Sequence, residues 1–127
     1  MTAWTAEHLD AIERADEVEV ITTRPDGTPR RPVPIWVVRV GEDIYVRSYR
    51  GENGRWYREA RAGGAGRVRV AGIDQAVRFE PVPETDAAEA IDRAYAAKYA
   101  RHGDSYVKPM VAQAARAATL RVTSTDQ

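Results

Sequence analysis

The chain has no cysteine, only two histidines and one phenylalanine among its 127 residues. Without cysteine there is neither a disulfide framework nor a thiolate metal site. His8 and His102 fall on separate predicted helices far apart in sequence, which leaves no histidine cluster for zinc. Ser48, Ser105 and Ser124 lack the strand-turn-helix setting of a nucleophilic serine. Long hydrophobic runs are absent too: none exceeds four residues, whereas a membrane-crossing helix needs about 20. The opening residues carry no basic region and no apolar core, so no signal peptide is expected and a cytoplasmic location is the default. Nor is there charge of one sign. Nineteen basic residues meet nineteen acidic ones, which argues against a nucleic-acid partner.

What is present describes one folded domain spanning residues 1–127. The hydrophobic fraction is 43% and the charged fraction 30%, as in ordinary globular chains. Seventeen of the nineteen basic residues are arginine, the better planar partner for phosphate and carboxylate.

The hydrophobic period changes several times along the chain. Residues 5–15 read as a short helix capped by Thr5. Residues 17–23 alternate and are β-branched, which predicts a strand. Arg24-Pro25-Asp26-Gly27 is a turn, with Gly27 supplying positive φ. Residues 30–40 form the return strand of a hairpin. Both of its faces are apolar at the centre, and Pro32 and Pro34 suit a sheet edge or a bulge. A third strand follows at 44–49, with Ile44, Val46 and Ser48 on one face and Tyr45, Arg47 and Tyr49 on the other. Residues 55–62 predict a helix, with Asn53 as its cap and Gly63-Gly64 as its stop. Strands at 67–71 and 76–82 precede the longest helix, 86–101, whose Asp86 and Glu89 fit a capping box. Ile91, Ala94, Tyr95 and Lys98 share one face of it, and the Lys98 ammonium is expected at solvent or an acidic group. A further helical turn within 108–115 and a strand at 118–123 complete the chain. Six short strands linked mainly by hairpins predict a mainly β, α+β fold, a small antiparallel barrel with helices.

One segment concentrates chemistry. Between residues 47 and 61, five arginines accompany two acids, around a glycine-flanked loop that ends in a helix start. A helix start offers unpaired N–H groups and partial positive charge to an anion. Arg47, Ser48 and Arg55 add donors, while Trp36 with Tyr45 and Trp56 with Tyr57 could wall a planar ring. The competing reading is structural: Arg55 pairs with Glu59 one turn on, and Trp56 is core.

The stretches Arg31-Pro32-Val33-Pro34-Ile35-Trp36-Val37-Val38, Ile44-Tyr45-Val46-Arg47-Ser48 and Gly54-Arg55-Trp56-Tyr57 resemble the FMN-binding split-barrel superfamily. Within it, the chain is most similar to a bacterial family of unknown function beside the deazaflavin-dependent nitroreductases. The likeness extends to residues 92–99 and 118–121. It implies a six-stranded split barrel of pyridoxamine-phosphate-oxidase type, a homodimer, and FMN or a deazaflavin at the subunit interface. It also implies hydride transfer to a small organic acceptor, or, alternatively, a non-catalytic dimeric module binding a small anionic ligand or a protein partner. The positions that match the cofactor-phosphate groups of such relatives are Arg47, Ser48, Gly51, Gly54, Arg55 and Trp56. Pro34, Ile35, Trp36 and Val37 would lie along the ring. Relatives commonly carry a lysine where this chain has Arg55, and Glu52 adds a negative charge to the loop.

Overall fold

A computed structural model describes residues 4–83 and 87–125. Helix α1 (Ala6–Arg14) starts where the Thr5 hydroxyl accepts the His8 N–H at 3.1 Å. Seven strands follow: β1 (Val18–Thr22), β2 (Val33–Ile35), β3 (Val38–Val40), β4 (Asp43–Arg47), β5 (Ala65–Val70), β6 (Ile73–Pro81) and β7 (Thr119–Ser124). Helix α2 (Arg55–Gly63) joins β4 to β5. Helices α3 (Ala88–Tyr99), α4 (Asp104–Val111) and α5 (Gln113–Ala117) lie between β6 and β7. The Asp86 half of the expected capping box falls outside the described residues.

Every strand pairing is antiparallel, and the order across the sheet is β2-β1-β5-β6-β7-β4-β3. The two edge strands are consecutive in the chain, separated only by Trp36 and Val37. The sheet therefore curls until its edges meet, giving the α+β split barrel expected from the sequence, with seven strands in place of six.

The extra strand arises because the predicted strand 30–40 is broken in two. Its first half pairs with β1 at one edge of the sheet, where Pro34 needs no ladder bond. Its second half pairs with β4 at the other edge. Between them the Val37 backbone finds partners in side chains of α3. Its N–H donates to the Tyr99 hydroxyl at 2.9 Å, and its carbonyl accepts from Lys98 Nζ at 2.8 Å. The Tyr99 hydroxyl donates in turn to the Asp16 carbonyl at 2.7 Å. These bonds replace a ladder at the split, since a buried backbone group without a partner is costly. Lys98 thus reaches the carbonyls of Ile12 and Val37, not solvent or an acid as expected.

Two apolar clusters hold the barrel. One gathers the inward strand residues, among them Val20, Val46, Val68, Phe79, Leu120 and Val122, with Leu9 and Ile12 of α1 and Tyr57 of α2. The other lies outside β3 and β4, where Val38 and Tyr45 meet Ile91, Tyr95 and Tyr99 of α3 and Met110 of α4. The Tyr45 and Arg47 face of β4 is therefore buried, beneath helices whose sequence separation hid the contact. Gly27 has φ 91°, as its turn requires, and Gly64 caps α2 at φ 73°. Among the described residues no helix is long and apolar enough to cross a membrane.

Candidate functional site

A cleft of about 1060 Å³ opens between the β1–β2 hairpin, the break after β2, the end of β4, the start of α2 and α4. Seven arginines line it against two acids, Glu17 and Glu59. Eight of the ten expected site residues are here: Pro34, Ile35, Trp36, Arg47, Ser48, Gly54, Arg55 and Trp56. Val37 and Gly51 are not among the lining. Val37 is buried and bonded to α3. Gly51 is buried at φ +66°, where an added Cβ would lie 3.1 Å from Ala114 Cβ. That glycine lets the loop pack on α5.

Ser48 and Gly54 form the innermost polar feature. The Ser48 side chain is buried, and its Oγ has no hydrogen-bond partner. A Cβ on Gly54 would come within 2.2 Å of that oxygen. The glycine therefore leaves room for the hydroxyl at the N-cap of α2, which has no side-chain cap. Asn53, expected as the cap, lies instead in a single 3-10 turn, Gly51–Asn53. First-turn N–H groups without a cap and an unpartnered hydroxyl beside them suit an anionic oxygen.

Arg47 departs from its expected geometry. Its side chain is 1% exposed, with its guanidinium on the α3–α4 side of β4. There it donates to Thr119 Oγ1 at 3.0 Å and to the Met110 carbonyl at 2.9 Å, pairs with Asp92, and lies 5.6 Å from the centre of the Tyr95 ring. Asp92 also accepts from Arg116 Nε at 2.9 Å. Burial pushes the Tyr95 hydroxyl far above the usual phenol range, and that hydroxyl has no partner.

Arg55 is the opposite case: 88% exposed, at the cleft rim, paired with Glu59 at 3.3 Å. Glu52 lies outside the cleft lining and pairs with Arg61. The aromatic walls are rearranged as well. Tyr45 and Tyr57 are buried core, not partners in a ring slot. Trp36 stacks on Tyr99 with centroids 3.8 Å apart and planes 2° from parallel, and Trp56 meets Tyr57 edge-on. Tyr49 and Tyr106, each 64% exposed, are the exposed large hydrophobics among the described residues, and both line this cleft. The sequence reading missed Arg24, Arg30, Arg31 and Tyr106 as neighbours in the site, while Tyr49 and Glu59 fall within the 47–61 segment it singled out. The one available signal was the Arg30-Arg31 pair directly preceding the stretch assigned to the ring. No group of three or more metal-ligating side chains occurs among the described residues.

A family model described as an uncharacterized protein conserved in bacteria (DUF2255) matches residues 8–122. The chain belongs to this family. Solved structures share the split-barrel fold of this chain. A FAD-binding protein from Mesorhizobium loti is 18% identical, with a TM-score of 0.59, covering 98% of this chain and 91% of its own. A candidate pyridoxamine 5′-phosphate oxidase from Listeria innocua is 12% identical, with a TM-score of 0.60 and coverages of 94% and 90%. An F420-H2 dependent reductase (FDR-A) is 16% identical, with a TM-score of 0.58 and coverages of 85% and 93%. The comparison with curated proteins found no match.

Proposed function

We infer that this DUF2255 chain binds a phosphate-bearing flavin or deazaflavin in its arginine-lined cleft and serves as a reductase of small organic acceptors. The observation that carries the reading is the Ser48–Gly54 feature: a buried hydroxyl with no partner, beside an uncapped helix start, at the inner end of that cleft. The cleft volume of about 1060 Å³ lies just above the roughly 300–1,000 Å³ range of small-molecule sites. Similar folds whose names state FAD or F420-H2 use support the same class of ligand.

In this reading Ser48 and Arg55 hold the phosphate, together with the first-turn N–H groups of α2. Trp56, at the same helix start, shields that end from water. Pro34, Ile35 and Trp36 lie along the ring, with Trp36 braced from behind by Tyr99. Arg47 acts as a strut that fixes the end of β4 and so sets the position of Ser48. When bound, the cofactor supplies the hydride chemistry, while the protein orients it and excludes water. A homodimer completes the reading. Its basis is the exposed Tyr49 and Tyr106 beside the cleft.

Titration of the protein with FMN, the deazaflavin and riboflavin, followed by tryptophan fluorescence and the visible spectrum, tests the proposal. Saturable binding of one phosphate-bearing compound, at least tenfold tighter than riboflavin, is the expected result, given about 1.5–3 kcal/mol per charge-assisted bond. No saturable binding of either phosphate-bearing compound would refute it.

A further inference from the structure

We propose that Glu59 is a built-in competitor for the anion in this cleft, and that it restricts the site to ligands bringing two or more negative charges to the phosphate end. The inference rests on the reading above that a phosphate enters here. Two guanidiniums from separate elements converge on one atom. Arg30, at the foot of the β1–β2 hairpin, reaches Glu59 Oε2 at 3.4 Å, and Arg55 of α2 reaches the same oxygen at 3.3 Å. Two like charges so close repel unless an anion sits between them. Glu59, with its side chain only 22% exposed, supplies that anion from within the chain.

The Glu59 oxygen therefore stands where an oxygen of a bound phosphate would bridge the same pair. Arg30 is also fixed by bonds to Thr22 Oγ1 at 3.2 Å and to the Thr23 carbonyl at 3.0 Å, so Glu59 draws the exposed Arg55 toward it before a ligand arrives. A ligand must then displace it. A single carboxylate offers the two arginines no more charge than Glu59 already provides. A phosphate monoester or a diphosphate offers about two charges and several acceptor oxygens, and guanidinium forks bind these in pairs. Once displaced, the Glu59 carboxylate stays in an arginine-rich setting. Arg31, Arg50 and Arg58 line the same cleft, and among the described residues they have no ion-pair partner.

The test is calorimetric titration of inorganic pyrophosphate and of acetate into the wild type, Glu59→Gln and Glu52→Gln. Glu52 pairs with Arg61 outside the cleft lining, so its variant measures the general effect of losing one negative charge near α2. Glu59→Gln is expected to tighten pyrophosphate binding about 2- to 27-fold, the sum of two surface-pair energies converted at 1.4 kcal/mol per decade. It should also raise acetate binding toward the detectable range, while Glu52→Gln changes either affinity less than about twofold. An unchanged urea midpoint shows that the variant folds, since both pairs are partly exposed. A Glu59→Gln protein that binds pyrophosphate no better than Glu52→Gln, or not at all, overturns the proposal. Because pyrophosphate has no ring, the outcome is separable from the cofactor reading. Flavin binding without a Glu59→Gln gain removes Glu59 alone, and the gain without flavin binding removes the flavin alone.

Discussion

Arg47 and Arg55 are the same side chain at either end of one loop, and the fold uses them in opposite ways. Arg47 is enclosed, with its donors spent on Thr119, Met110 and Asp92. Arg55 stands at the rim with a single partner, Glu59. The difference comes from the side of β4 on which each lies. The Arg47 face is roofed by α3 and α4, so its charge needs an internal acid and internal acceptors. The helix start that carries Arg55 faces the open cleft, where water competes for every bond. A buried cation of this kind serves the architecture, while an exposed one beside a helix start is free to meet a ligand.

The largest effect expected from this contrast is on stability. Arg47→Ala should destabilise the fold by about 3–5 kcal/mol in a guanidinium titration, because it leaves Asp92 without one of its two buried or half-buried partners. A loss under about 1 kcal/mol would mean that the buried network is not what holds β4 to the helices.

Lys98 is intermediate in burial between the two arginines and sharpens the comparison. Burial lowers its pKa from 10.5 to about 8, against a smaller opposing effect of Glu13. The unfolded chain therefore keeps this proton to higher pH than the folded one. The Lys98 contribution should make stability rise as pH climbs from about 8 to about 10.5 and add no slope well below 8. Replacing it with methionine should remove that rise. An identical pH profile for the two proteins would contradict the assignment of the burial effect to Lys98.

These contrasts also show what the sequence could disclose. Period and turn chemistry announced the strands, the Gly27 turn and the Gly63-Gly64 stop, because each depends on neighbours in the chain. The resemblance of residues 31–38, 44–48 and 54–57 located eight of the ten expected residues on one cleft. The break at Trp36-Val37 was hidden because Tyr99 and Lys98 create it from more than 60 residues away. The enclosure of Arg47 was hidden for the same reason: Asp92, Met110 and Thr119 arrive from later elements. Alternation on a strand assigns faces but does not say which face a distant helix will cover. Arg30 and Glu59 were likewise separated by a hairpin and a helix, so their meeting was not readable from spacing.

The smallest effects on stability are expected where a hydroxyl has no partner. Tyr95→Phe and Ser48→Ala each remove an unpartnered buried oxygen, so each should leave stability within about 0.5 kcal/mol of wild type or raise it slightly. A loss above about 1.5 kcal/mol in either, in a denaturant titration, would reveal a bond that the unliganded chain makes and that the present geometry lacks. Ser48→Ala should nonetheless weaken flavin-phosphate binding, which separates the two hydroxyls by function.

The most direct test sets Arg55 against the wild type in one fluorescence titration with FMN and with the deazaflavin, alongside a denaturant curve for each protein. Arg55→Ala is expected to bind the preferred compound roughly 10- to 150-fold more weakly, the equivalent of one charge-assisted contact, with an unfolding midpoint unchanged. Equal affinity in the two proteins would contradict the assignment of Arg55 to the anion end of the cleft.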